Sequence, residues 1–256
     1  MIDIHSHVLP GLDDGAHSID ESLEMLRLAA ASGTTDIVAT PHANAEFSFD
    51  HARVKQSFLE IAGQSRSFIS LHLGCDFHLS YENVSDAVNN AAKYTINNTR
   101  YLLVELPDLI TPSTVRQGLR QLISADLKPV ITHPERNPSL QCKLDELTHW
   151  ITDGCLVQVT GQSFLGRFGP SAKNIADRLM ATGLIHFVAS DAHDCVDRIP
   201  DLSGAYKYIS SRYGAERADS LCIYNPACAI AGESVSSKVP KETRQPFFGF
   251  GKSRTA

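Results

Sequence analysis

The sequence predicts a parallel α/β fold. Short β-branched apolar runs alternate along it with amphipathic stretches, and side chains able to bind a metal follow nearly every such run. At 256 residues the chain can bury one sizeable core, and single-domain βα barrels commonly have this length. Seven runs suit a barrel one strand short of the usual eight, although an open doubly wound sheet has the same local signature.

Strands are expected at Ile2–Ile4, Asp36–Ala39, Ile69–Leu73, Tyr101–Glu105, Pro129–Thr132, Leu156–Val159 and Ile185–Ala189. Helices are expected near 19–32, 51–67, 114–126, 143–153, 171–182 and 201–213. The first opens on Ser18-Ile19-Asp20-Glu21, which reads as a capping box, and stops at Gly33; Gly154, Gly183 and Gly214 close later helices in the same way. From about Glu233 the composition turns to Ser, Lys, Pro and Gly. Residues 1–232 are therefore expected to form one domain and 233–256 a disordered basic tail, in which Phe247, Phe248 and Phe250 offer the alternative of a docking segment.

Composition narrows the function. A net charge of -6 gives no electrostatic reason to bind a polyanion, so a nucleic-acid partner is not expected. No run approaches the roughly 18 apolar residues of a membrane span, and Met1-Ile2-Asp3-Ile4-His5 lacks the basic and then apolar order of a signal sequence, so a cytoplasmic protein is expected. The six cysteines form no C-x-x-C pair, which fits reduced thiols. None has an arginine six residues later, the spacing a cysteine phosphatase needs to cradle phosphate.

The chemistry sits at the strand ends. His5 and His7 follow the first strand, His42 the second and Asp76 the third. Glu105 ends the fourth, His133 follows the fifth, and Asp191 with His193 follow the seventh. A lone histidine in such a place is more often a hydrogen-bonded structural residue than a ligand. A set at six of seven strand ends reads differently, because in a βα barrel these places converge on one mouth. In His5-Ser6-His7 the i, i+2 spacing sends both imidazoles to one side, and Asp191-Ala192-His193 repeats it with a carboxylate. Asp13 and Asp14 form an acidic turn that is either a further ligand source or a plain loop. His17, His51, His72, His78, His149 and His186 lie mid-strand, on helix faces or in loops, and are set aside. Mixed imidazole and carboxylate ligands suit Mn, Fe or Zn, and carboxylates can bridge ions of a multi-metal site. Arg136, in His133-Pro134-Glu135-Arg136, and Arg198, five residues after His193, place guanidinium forks beside these ligands, as phosphate binding requires.

Ile2-Asp3-Ile4-His5-Ser6-His7, Leu12-Asp13-Asp14-Gly15, Thr40-Pro41-His42, Arg100-Tyr101-Leu102-Leu103-Val104-Glu105, Pro129-Val130-Ile131-Thr132-His133-Pro134-Glu135-Arg136 and Ala189-Ser190-Asp191-Ala192-His193 together resemble the bacterial PHP-type tyrosine phosphatases that accompany capsular and exopolysaccharide export. The resemblance runs in order from residue 1 to about 230 and includes Gln158-Val159 and Gly166-Arg167-Phe168-Gly169. It implies a distorted (β/α)7 barrel with up to three ions, manganese above all, hydrolysing phosphotyrosine on the cytoplasmic tail of a membrane-associated tyrosine autokinase. By that resemblance His5, His7, Asp76 and Asp191 would hold one ion, Asp76, Glu105 and His133 a second, and Asp14, His42 and His193 a third, with Arg136 and Arg198 on the phosphate. Such relatives usually carry Glu where this chain has Asp76, so the ion count depends on the reach of a shorter bridge. Two alternatives are a PHP phosphatase of a small metabolite such as histidinol phosphate and a non-catalytic metal-binding module. Asp14 and Glu105 favour the tyrosine-phosphatase branch, since the histidinol-phosphatase relatives often place His there.

Overall fold

The computed structural model describes residues 1–109 and 111–236. Its strands are β1 (Ile2–Ser6), β2 (Asp36–Ala39), β3 (His42–Ala43), β4 (Ser70–Leu73), β5 (Asp76–His78), β6 (Tyr101–Glu105), β7 (Lys128–Thr132), β8 (Leu156–Thr160) and β9 (Phe187–Ala189). The helices are α1 (Ile19–Ala31), α2 (His51–Ser65), α3 (Tyr81–Asn89), α4 (Pro112–Ser124), α5 (Pro138–Gln141), α6 (Asp145–Asp153), α7 (Gly161–Phe164), α8 (Gly169–Ala181), α9 (Ser203–Tyr213), α10 (Ala215–Asp219) and α11 (Asn225–Ala231).

All ladders are parallel and fall into two sets, β1-β2-β4 and β3-β5-β6-β7-β8-β9. The two sets are one barrel wall, because two strands are each interrupted once. Pro41 lacks an N–H and breaks the second strand into β2 and β3, and Gly74-Cys75 divides the third into β4 and β5. Hydrogen bonds carry the wall across the breaks: Thr40 N to Ser6 O at 2.8 Å, Gly74 N to Ala39 O at 2.9 Å and Asp76 N to Pro41 O at 3.2 Å. Gly74 keeps this crossing close, since a Cβ would stand 3.1 Å from the Val38 side chain and 3.3 Å from Ile96 and would require those side chains to shift.

The wall closes between β1 and the segment after β9. Asp191 N donates to His5 O at 2.9 Å and His7 N to Ala192 O at 2.8 Å, with a parallel bridge between Ser6 and Ala192. This seam decides between the two topologies left open by the strand pattern, in favour of the distorted seven-stranded barrel. Ile4, Val38, Leu103, Val130, Leu156 and Phe187 fill the interior, while Leu102, Val104, Ile131, Val157 and Val188 face outward into the helix layer. Strand alternation thus puts Glu105 on the inward side, two residues beyond Leu103.

The sequence-based expectation differs from the structure in several places, the short helices α5 and α7 among them. β1 extends to Ser6 and carries a bulge between Asp3 and Ser6. The bulge lets Ile4 pack inside while His5 also reaches the interior. Helix α3 was not expected; it starts at Ser80, whose hydroxyl accepts from Asn83 N at 3.1 Å. Nor were α10, the π turn Ser220–Tyr224 and α11, which pack across the end of the barrel opposite the strand carboxyl termini. Residues 233–236, expected in the tail, are packed: Val235 is buried, its N–H donates to the Tyr101 hydroxyl at 2.9 Å, and that hydroxyl donates to Glu233 O. The rest of the expected tail lies outside the described residues. At α1 the Ser18 hydroxyl accepts from Glu21 N at 3.2 Å as expected, but the Glu21 carboxylate takes the N–H of His17.

Candidate active site

The nine side chains expected as ligands and both arginines meet at the carboxyl end of the barrel. The bulge in β1 sets His5 Nε2 and His7 Nε2 3.3 Å apart. His5 Nε2 lies 3.4 Å from Asp191 Oδ1 and 3.6 Å from Asp76 Oδ2, and His7 Nε2 lies 3.6 Å from Asp191 Oδ1. Across the mouth, Asp14 Oδ1 stands 3.4 Å from both His42 Nε2 and His193 Nε2. His42 Nδ1 is 3.1 Å from Asp76 Oδ2 and 3.6 Å from Glu105 Oε2, and His133 Nε2 is 3.8 Å from Glu105 Oε1. With ligand bonds of about 2.0–2.2 Å, two donors on one ion stand about 3–4 Å apart, so these separations suit shared ions.

Donor atoms converge within 4.8 Å in four overlapping groups: His7, Asp14, His42 and His193; His5, His7 and Asp76; His5, His133 and Asp191; and His42, Asp76 and Glu105. The first contains the third set implied by the resemblance, enlarged by His7. His133 lies with His5 and Asp191, and His42 stands where His133 was expected beside Asp76 and Glu105. The groups overlap through His5, His7, His42 and Asp76, each of which belongs to two of them, and the two ring nitrogens of His42 face different carboxylates.

The chemistry of this set fits divalent cations. Asp76 is fully buried, and among the described residues its carboxylate oxygens make no hydrogen bond of good geometry; what faces Oδ2 is His42 Nδ1 at 3.1 Å, itself without a hydrogen bond, and His5 Nε2 at 3.6 Å. An ionised carboxylate left so would be strongly penalised without a compensating positive charge. Burial pushes the Asp76 carboxyl up, but the adjoining His5 and His42 imidazoles hold it well below the usual range. Burial pulls His5 down and is outweighed by Asp76 and Asp191, which raise it to about 9, and burial at His42 is outweighed by Asp14 and Asp76, which take it to about 11; both values mark a strongly negative site, in which a bound cation would take the place of the imidazole protons. His133, buried and beside Arg136, is pulled down to about 4 and is neutral, the form a ligand needs. The shorter side chain of Asp76 reaches this centre, with Oδ2 3.1 Å from His42 Nδ1 and 3.6 Å from His5 Nε2.

Two site residues have left-handed backbone, His133 with φ 35° and Asp191 with φ 53°. Neither is glycine, so each conformation costs about 1–3 kcal/mol. Both are held by barrel hydrogen bonds, His133 N to Gln158 O and Asp191 N to His5 O, each at 2.9 Å.

Arg136 and Arg198 converge on Asp191 Oδ2, to which Arg136 Nη1 and Arg198 Nη2 both donate, the latter at 2.6 Å. Arg198 Nε is buried and has no acceptor among the described residues. The Arg198 turn is tied by the Asp194 carboxylate, which accepts from the backbone N–H groups of Val196, Asp197 and Arg198.

The residues that orient the donors were not identified from sequence. Asp13 Oδ2 lies 2.7 Å from His7 Nδ1 and accepts from His42 N at 3.0 Å, while its Oδ1 accepts from Gly15 N at 3.0 Å. It is thus a carboxylate behind an imidazole, which turns His7 Nε2 to the centre. Gln158 Oε1 does the same for His5 through Nδ1 at 3.1 Å. Asp3 Oδ1 accepts from His5 N and Ser190 N, fastening the seam. Buried Glu135 accepts from Thr160 N and Ser163 Oγ, and burial raises its carboxyl to about 7. The sequence leaves Asp13 as a ligand or a loop residue, and it marks Asp3 and Gln158 only as part of the motifs of the resemblance, with no role until the strands are paired. Of the histidines set aside, His78 stands at the rim with Nδ1 3.8 Å from Glu105 Oε2, while His72 pairs with Asp36 and His186 accepts from Val157 N away from the mouth.

Comparison with known proteins places this geometry. The family model for capsular polysaccharide synthesis, CpsB/CapC, matches residues 1–231. The tyrosine-protein phosphatase YwqE of Bacillus subtilis is 32% identical over 255 residues, covering 98% of this chain and 100% of that protein. The tyrosine-protein phosphatase CpsB of Streptococcus pneumoniae is 30% identical over 247 residues, covering 92% and 100%. Among solved structures, that of YwqE and CpsB, described as metal-dependent tyrosine phosphatases, superposes with a TM-score of 0.87 at 30% identity over 96% of this chain and 100% of the other. A histidinol phosphate phosphatase from Lactococcus lactis shares the fold alone, with a TM-score of 0.57 at 12% identity, over 87% of this chain and 96% of the other. No helix among the described residues is long and apolar enough to cross a membrane.

Proposed function

We infer the activity of this chain from one premise: it belongs to the CpsB/CapC family of capsular polysaccharide synthesis. The chain is a metal-dependent phosphoric monoester hydrolase, a tyrosine-protein phosphatase. The observation that carries this reading is the buried Asp76 carboxylate, without a hydrogen bond among the described residues and faced by the His5 and His42 imidazoles, with two guanidiniums on the adjoining Asp191. Up to three ions, with manganese the first choice and iron or zinc the others, would be held by His5, His7, Asp14, His42, Asp76, Glu105, His133, Asp191 and His193. The chemistry such ions supply when bound is charge neutralisation at a phosphoryl group and activation of water at neutral pH.

The chain's own contribution is positional. Arg136 and Arg198, each about a quarter exposed, offer forked donors to the equatorial oxygens of a phosphoryl group. Asp191 keeps both guanidiniums on the same side of the mouth. Asp13 and Gln158 fix the imidazole tautomers. A thiolate nucleophile is disfavoured by burial: the Cys75 thiol is pushed well up, and those of Cys155 and Cys222 to about 12. The substrate assigned on this reading is phosphotyrosine in the cytoplasmic tail of a membrane-associated tyrosine kinase, with the enzyme acting from the cytoplasm.

The test is turnover of a phosphotyrosine peptide, with histidinol phosphate alongside. EDTA should abolish it and added Mn should restore it, while iodoacetamide should leave it intact. Activity that survives EDTA but stops on alkylation would refute the mechanism, and preference for histidinol phosphate would refute the substrate assignment.

A further inference from the structure

We propose that the loop Gly166-Arg167-Phe168-Gly169 is a positioning device that fixes both phosphate-binding arginines, with Phe168 acting through Arg136 and Arg167 through the turn that carries Arg198. The inference rests on the phosphate role assigned above to those arginines. Three observations carry it. The Arg136 guanidinium lies over the Phe168 ring, 4.3 Å from its centroid. Arg167 Nη2 donates to Asp197 Oδ1 at 2.8 Å, tying the loop after β8 to the residue preceding Arg198. Gly166 and Gly169 bracket the pair with φ of +82° and +86°, backbone that side chains rarely adopt, so the path of the loop past Arg136 and Asp197 depends on glycine at both positions.

The physical need is clear from what else holds Arg136. Its hydrogen bond goes to Asp191, a candidate ligand, so the guanidinium plane needs a second support that does not compete for its remaining donors. An aromatic face gives this: it attracts the cation through the ring quadrupole and leaves the N–H edge free for an incoming anion. A hydrogen-bonding residue in place of Phe168 would occupy that edge. Arg167 acts from outside the mouth, where its partner Asp197 is largely exposed, and its effect should be the smaller of the two.

The experiment uses the full-length, metal-loaded protein and measures kcat/KM for a phosphotyrosine peptide, the inhibition constant of inorganic phosphate, metal per chain and melting temperature. Phe168→Ala and Phe168→Leu should each weaken phosphate inhibition and lower kcat/KM by about 2- to 30-fold, the range of a cation–π contact, with metal content unchanged. Phe168→Tyr, which keeps the ring face, should stay within twofold of the parent. Arg167→Ala should fall by about twofold. Rescue by Leu as complete as by Tyr would reduce Phe168 to packing and overturn the proposal. So would an unchanged phosphate constant in Phe168→Ala. Arg136→Ala separates the two levels: if it loses phosphate inhibition while Phe168→Ala does not, the loop inference fails alone; if Arg136→Ala is itself without effect, the reading of the arginines fails.

Discussion

Replacing Asp13 by Asn tests whether the centre is set by the residues behind the donors as much as by the donors themselves. The Asp13 side chain is 1% exposed and divides its carboxylate among three donors: His7 Nδ1 at 2.7 Å, the His42 N–H at 3.0 Å and the Gly15 N–H at 3.0 Å. As an ionised acceptor it assigns the His7 proton to Nδ1 and leaves Nε2 unprotonated towards Asp191 and His5. Asn keeps the acceptor for Gly15 but turns an NH2 group towards His7 and His42. It cannot accept from the His42 N–H, and by donating to His7 Nδ1 it moves the imidazole proton to Nε2, the wrong nitrogen for a ligand. Loss of such a supporting carboxylate costs about 10- to 100-fold in metal affinity, or about 1.4–2.7 kcal/mol. The assay is competitive titration of Mn into chelator-stripped protein, followed by phosphotyrosine turnover at saturating metal. Affinity should fall by that factor, and turnover should recover in part as metal is raised. Metal affinity within twofold of the parent, in a variant with unchanged melting temperature, would refute the reasoning.

Two further outcomes follow from the same structure. Gly15→Ala would place a Cβ 2.1 Å from His7 O and 2.5 Å from His7 Cβ, so the acidic turn must move away from β1; denaturant unfolding in chelator should show a loss of about 1–3 kcal/mol, and metal should bind more weakly. His186 is held neutral, its imidazole depressed from 6.5 to about 4 first by burial and then by Arg217 and Lys128. The unfolded chain therefore binds more protons between these values, so the stability from this group is present above pH 6.5 and is lost as pH falls towards 4, about 3 kcal/mol at full extent. His186→Asn, which keeps an acceptor for Val157 N, should flatten the fall in melting temperature over that window.

Most of the strand set was legible because each inward run is short, apolar and bounded by turn residues, and the donors were legible because they follow those runs directly. What could not be read depends on contacts between distant segments. Helix α3 buries only Val84 and Ala87, too few apolar positions to stand out. The bulge in β1 exists only relative to β2, and without it the alternation Ile4, His5 contradicts an inward histidine. Gln158 and Asp3 look like ordinary polar strand residues until β8 and the β9 end are set beside β1. His42 illustrates the limit at the centre: its place after a strand marked it as a donor, but that its two nitrogens face different carboxylates needed coordinates.

The seam that closes the barrel bears on how the molecule is made. Its bonds join His5 to Ser190 and Asp191, and the Ser190 hydroxyl reaches His5 O across 185 residues of sequence. On the ribosome the first strand therefore emerges with its imidazoles long before its neighbour exists, and β1 has only β2 to pair with until nearly the whole domain has been synthesised. Such distant pairing forms slowly, because the loop must close before the contact yields anything. Barrel closure and completion of the donor set are consequently one late event, because Asp191 and His193, on the segment that forms the seam, are the last donors to be synthesised.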